Sequence, residues 1–140
     1  MLKRVKYISR FTRPMTAEEI AELGEDSSRK NAELDITGVL MASGGLFFQV
    51  LEGPAEHVDE LYRTILHDAR HSDILLLSSD DPVELREFPD WSMATVNLDA
   101  EANVRLMPLK ALVKAVFEQR RVLETMVESI ERSVRNEMGS

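Results

Sequence analysis

The chain has 140 residues, enough for one domain with a small appendage. Hydrophobic residues make up 44% and charged residues 30%, so the chain can bury a core and does not have a disordered composition. With no cysteine there is no disulfide framework, thiolate nucleophile, Cys-ligated zinc or flavin–cysteine adduct, and the net charge of −8 disfavours a phosphate backbone as partner.

Residues 3–9 alternate, with Val5, Tyr7 and Ser9 on one face, and predict a first strand. Thr16 followed by Glu19 is a capping box, which starts a helix running to about Ala32. Residues 36–42 and 46–51 are β-rich runs apolar on both faces, joined by Ser43-Gly44-Gly45 as a hairpin turn. Glu52-Gly53-Pro54 breaks the second run, and Pro54 suits the first turn of a helix to about Ala69 that buries Val58, Leu61, Tyr62 and Ile65. Residues 73–79 give a fourth strand and, after a polar loop with Pro82 and Pro89, residues 91–96 give a fifth.

The order β-α-β-β-α-β-β points to a ferredoxin-like α+β sandwich, a mainly antiparallel five-stranded sheet with two helices on one face. Strands apolar on both sides require a second cover. Leu109, Leu112, Val113, Val116 and Phe117, continued by Leu123, Met126, Val127, Ile130 and Val134, form an apolar stripe that can supply it, on one helix or two. Residues 1–100 carry 10 basic and 19 acidic side chains, and residues 101–140 carry 7 and 6. That shift divides the chain into a core domain of residues 1–97 and a helical extension of residues 98–140. No apolar run reaches membrane-span length and no apolar stretch follows the basic N-terminus, so a soluble cytoplasmic protein is expected.

Three residues interrupt the inner face of the first helix: Gly24, Ser27 and Asn31. They fit either a close helix–helix approach with a satisfied Asn or a slot for a planar ligand. Gln49, in mid-strand, has two donors and two acceptor lone pairs to satisfy, and an unmet one costs about 1–3 kcal/mol. Tyr7, on an adjoining strand, can both donate and accept.

Tyr7-Ile8-Ser9, Asn31, Ile36-Thr37-Gly38, Phe47-Phe48-Gln49-Val50-Leu51-Glu52-Gly53, Asp68-Ala69-Arg70-His71 and Phe88-Pro89-Asp90-Trp91-Ser92-Met93 keep a consistent order over residues 2–97. In these blocks the chain resembles a BLUF domain, a sensor of blue light using flavin, and its length is similar to that of stand-alone members. The resemblance implies FAD held without a covalent bond between the two helices. It implies Tyr7 as light-dependent electron and proton donor, Gln49 as the amide that rearranges, and Asn31 at the polar edge of the ring. Ser27, Lys30, Ile65, Asp68, Arg70 and His71 complete the implied cofactor contacts, and Trp91 and Met93 match the positions that relay the signal. No aromatic residue stands in the hairpin just after Met41, where many members have tyrosine. Physically, turning over an amide exchanges donor for acceptor without a new covalent bond, on the scale of a few hydrogen bonds.

The other constellations are ordinary. His67 and His71 are four apart but lack a third ligand at metal spacing. Gly44-Gly45 lacks the Lys-Ser/Thr of a phosphate loop, no Ser-His-Asp arrangement is supported for Ser9, and Glu18, Glu19, Glu22, Glu25 and Asp26 form a solvated face. The expected role is therefore non-enzymatic light sensing that signals to a partner protein, with a homodimer or higher homo-oligomer, the C-terminal stripe packing on the sheet, on another subunit or on both, and neither nucleic acid nor membrane as partner. The alternatives are a small ferredoxin-like enzyme of acylphosphatase or monooxygenase type, or a cofactor-free dimerisation module.

Overall fold

The computed structural model describes residues 1–99 and 107–139. The chain runs β1 (Leu2–Phe11), α1 (Ala17–Glu33), β2 (Thr37–Ser43), β3 (Leu46–Pro54), α2 (Ala55–Leu66), β4 (His71–Val83), β5 (Ala94–Asn97) and α3 (Met107–Gly139). The capping box opens α1: Thr16 Oγ1 accepts from Glu19 N at 3.1 Å, and the Glu19 carboxylate accepts from Thr16 N at 3.2 Å. Gly44 and Gly45 turn the β2–β3 hairpin at φ +57° and +82°, where an added side chain would find space but a strained backbone.

The sheet order is β4-β1-β3-β2-β5. Three of its four pairings are antiparallel and β2–β5 is parallel, so the sheet is mixed. Register sets Tyr7 opposite Gln49 and Gln49 opposite Leu40. These residues share a face with Val5, Phe47 and Leu51. Ile20 and Leu23 of α1 and Val58 and Ile65 of α2 pack on that face in one core cluster, so both helices lie on the same side. The reverse face carries Arg4, Ile8, Val50 and Glu52, all buried.

Several expected bounds move, for local reasons. Helix α2 stops at Leu66 instead of continuing towards Ala69: the Asp68 carboxylate accepts from Arg70 N at 2.9 Å, a turn that sends the chain into β4. Strand β4 extends to Val83, pairing with β1 through three register shifts. Strand β5 starts only at Ala94, because the Ser92 carbonyl is taken by the Asn31 side chain at 2.8 Å instead of a neighbouring strand. Gly24 serves neither of the two readings considered for it. A Cβ there would stand 2.0 Å from Thr95 Oγ1, so the glycine lets α1 lie against β5.

Residues 1–104 and 105–140 form two units. In the second, α3 is a single helix of 33 residues. Its Leu123, Met126, Val127, Ile130 and Val134 are exposed, each at least half. The side chains of Leu109, Leu112, Val113, Val116 and Phe117 lie outside the described residues. No described helix is long and apolar enough to cross a membrane.

Candidate functional site

A crevice opens between α1 and α2 above the centre of the sheet. Its walls are apolar, from Leu23, Leu40, Phe47, Leu61 and Ile65, and its edges are polar, from Ser27, Lys30, Asn31, Gln49, Asp68, Arg70 and His71. At its floor the Tyr7 hydroxyl donates to Gln49 Oε1. The cross-strand pairing of β1 and β3 brings the two side chains together. Tyr7 is fully buried. Burial, reinforced by Tyr62 and Asp68, pushes its phenol far above the ordinary value. The phenol is therefore protonated at any working pH and available as a donor. The other end of the amide, Gln49 Nε2, lies 3.8 Å from Met93 Sδ.

Asn31 is 1% exposed and faces the crevice from the last turn of α1. Its Nδ2 donates to the Ser92 carbonyl at 2.8 Å, and Ser28 Oγ is 2.6 Å from Ser92 Oγ. Two residues near the end of α1 thus grip the chain just before Met93. The Asn31 backbone carbonyl also accepts from Ile36 N at 2.9 Å, which ties the end of α1 to the entry of β2.

The α2 side of the crevice is ionic. Arg70 binds the Asp68 carboxylate through Nε and Nη2, with Nη2 at 2.7 Å. Hydrogen bonding from Arg70 holds Asp68 at about 2, below the usual carboxylate range, and Arg70 is raised in turn. His71 Nδ1 lies 3.1 Å from Ser9 Oγ, and its ring centroid is 6.3 Å from that of Tyr7 and 5.6 Å from that of Phe47. Burial lowers its basicity, Asp68 opposes that and Arg70 adds to it.

Of the residues singled out from sequence, Ser27, Lys30, Asn31, Gln49, Ile65, Asp68, Arg70 and His71 line the crevice, and Tyr7 lies beneath it. The two relay candidates separate. Met93 is 8% exposed against Gln49, whereas Trp91 is 51% exposed, away from that amide and stacked beside Phe88 at 6.4 Å. Sequence reasoning missed Leu23, Leu40, Phe47, Leu61 and Thr64 as crevice walls, since each reads as core or helix surface. It also missed the Ser92 carbonyl, which no side-chain pattern announces.

The arrangement is a buried hydrogen-bond chain beside a narrow slot. Among the described residues no group of three His, Cys, Asp or Glu could hold a metal. Ser9 meets His71, but Asp68 is bound to Arg70 and completes no triad.

Residues 2–94 match the family model BLUF, sensors of blue-light using FAD. The chain is 33% identical over 129 residues to the photoactivated adenylate cyclase subunit beta of Euglena longa, covering 91% of this chain and 15% of that protein. It is 39% identical over 119 residues to the blue light- and temperature-regulated antirepressor BluF of Escherichia coli (strain K12), covering 85% of this chain and 28% of that protein. Among solved structures it is similar to a bacterial light-regulated adenylyl cyclase, at 42% identity and TM-score 0.83, covering 89% of this chain and 36% of that one. It is also similar to BlrB, a BLUF protein in its dark state, at 38% identity and TM-score 0.65, covering 70% and 74%. The chain thus spans under a third of the length of these curated relatives. The crevice suits FAD: its apolar walls fit the faces of an isoalloxazine ring, and the amides of Asn31 and Gln49 fit the hydrogen-bonding edge of that ring.

Proposed function

The chain belongs to the BLUF family, whose members bind FAD, and from that we propose that it is a blue-light photoreceptor switched by Tyr7 and Gln49. The observation that carries the reading is the buried hydrogen bond from the Tyr7 hydroxyl to Gln49 Oε1 at the floor of the crevice. Bound FAD supplies the absorption of blue light and the redox chemistry that follows. Asn31, Gln49, Ser27 and Lys30 would hold it from α1 and β3, and Ile65, Asp68, Arg70 and His71 from the α2 side.

Tyr7 is the electron and proton donor in this reading. Its O–H is shared with Gln49, and its apolar surroundings keep the proton on the phenol in the dark. Turning over the Gln49 amide puts Nε2 where Oε1 stood, so the phenol oxygen becomes the acceptor. The same turn removes the N–H now directed at Met93 Sδ, so the change reaches the segment that leads into β5. The scale is a few hydrogen bonds, which suits a reversible two-state switch.

The output is binding, not catalysis. The exposed apolar stripe of α3 suits a second copy of this chain or a downstream protein, and we favour a homodimer that signals in the cytoplasm. The test is spectral. Wild type should purify yellow and release free FAD on denaturation. Tyr7→Phe and Gln49→Leu should bind flavin but lose the reversible light-induced red shift. Normal photoswitching by both variants would refute the assigned switch, and a chain that takes up no flavin would refute the photoreceptor itself.

A further inference from the structure

On the reverse face of β3, three residues on from Gln49, Glu52 is buried at 1% exposure. It sits opposite Arg4 in the β1–β3 register, and its carboxylate accepts from Arg4 Nε at 2.9 Å. The carboxylate does more than neutralise the arginine. It also accepts from the backbone N–H of Glu87 at 2.9 Å and of Phe88 at 2.5 Å. Arg4 Nη2 in turn donates to the Leu85 carbonyl at 2.6 Å. Beside them Arg86 donates to Thr37 Oγ1 at 3.0 Å and to the Asp35 carbonyl at 2.9 Å. Residues 85–88 are thereby pinned to the back of the sheet. Met93 lies five positions along the chain from Phe88, so even a fully extended backbone keeps the pinned end within roughly 18 Å of the switch. At the far end of that short tether the Ser92 carbonyl meets Asn31 and Met93 Sδ meets Gln49.

We propose that the Glu52 carboxylate, with Arg4, is a positioning group for the light switch: it fixes the β4–β5 segment from behind the sheet and so sets Met93 and Ser92 against Gln49 and Asn31. This rests on the photoreceptor reading above. A carboxylate that accepts two backbone N–H groups and a guanidinium in a buried site has no equivalent in an amide, which offers one acceptor oxygen and turns N–H donors towards donors. Removing part of this pinning lets the segment move while the Tyr7–Gln49 pair keeps its place.

The experiment uses the full FAD-loaded chain and compares Glu52→Gln, Arg86→Ala and Val58→Ala. Arg86→Ala loosens the same segment without leaving a buried charge unpaired, so it carries the test should Glu52→Gln not fold. Val58→Ala lowers stability in the α2 core, away from the segment. Expected is a light-induced red shift in all three, with dark recovery changed by about fivefold or more in the two segment variants and unchanged in Val58→Ala. Loss of melting temperature in all three with wild-type recovery rates in both segment variants would overturn the proposal. A recovery rate that follows melting temperature across the set, Val58→Ala included, would overturn it too. Absence of a red shift in wild type would instead overturn the photoreceptor reading.

Discussion

Replacing Gly24 by Ala tests how tightly α1 is laid on β5, because two effects of known size oppose each other. On an unobstructed helix the exchange would stabilise by about 1 kcal/mol, since glycine loses more backbone freedom than alanine. Here the new methyl would stand 2.0 Å from Thr95 Oγ1, 2.8 Å from its Cβ and 3.0 Å from its Cγ2. Carbon atoms rest about 3.5–4.0 Å apart, so a rotamer change that swings Oγ1 away still leaves a shortfall of about 0.7 Å at Cβ. That remainder can be relieved only by moving helix from strand. Overpacking of this kind costs about 1–3 kcal/mol, and the obstruction at a strand Cβ puts the cost in the upper half. The net expectation is a loss of about 1–2 kcal/mol, read as a lower urea midpoint of the FAD-loaded protein at unchanged slope. Thr95→Ala removes Oγ1 and Cγ2, so the double variant should recover about 1 kcal/mol of that loss in a mutant cycle. Gly24→Ala more stable than wild type, with no coupling to Thr95, would refute the packing argument.

Two further outcomes follow from the site. His71 is less basic in the folded chain than its ordinary 6.5, chiefly through burial, so below pH 6.5 the unfolded chain binds the extra proton. Its contribution to stability is therefore full above pH 6.5 and lost as pH falls from there through the lowered value. His71→Gln should flatten that part of the stability–pH curve in urea titrations, and an unaltered curve would remove His71 as the cause. Met93→Ala should keep most of the red shift while blunting the light-dependent change of hydrogen exchange in residues 98–140, and an unchanged response there would take Met93 out of the relay.

What was legible in the sequence is what strand and helix periodicity encode. The Gly44-Gly45 turn fixes the β2–β3 register, and alternation puts Tyr7 on the inner face of β1. A buried mid-strand amide needs a partner, so the demand of Gln49 could be read before the pairing with Tyr7 was seen. Gly24 was visible as an anomaly but not as a contact with β5, because its partner Thr95 lies 71 positions along the chain and leaves no mark on the helix pattern. Trp91 and Met93 are two apart, so a strand through both would put them on one face; the observed strand starts only at Ala94, which lets them part, with Met93 buried and Trp91 exposed. That parting depends on Asn31 and Ser28 holding Ser92.

Glu52 illustrates the harder limit. In sequence it stands before Gly53-Pro54 and reads as the end of a strand, and Arg4 is one of several basic residues near the N-terminus that no pattern sets apart. Their burial depends on one another and on two backbone N–H groups from a loop 35 and 36 residues away. A buried charge is tolerated only when such partners are all in place, and removing one leaves the others costly to keep. A group with that requirement holds its loop in one arrangement. Under the proposed photoreceptor reading, that gives Gln49 a segment of defined position, so a turn of its amide is passed on through Met93 and is not lost in loop motion. The Glu52–Arg4 anchor on the reverse face and the Tyr7–Gln49 pair on the front face are joined by the residues from Phe88 to Met93, and that connection is what the recovery rates of Glu52→Gln and Arg86→Ala probe.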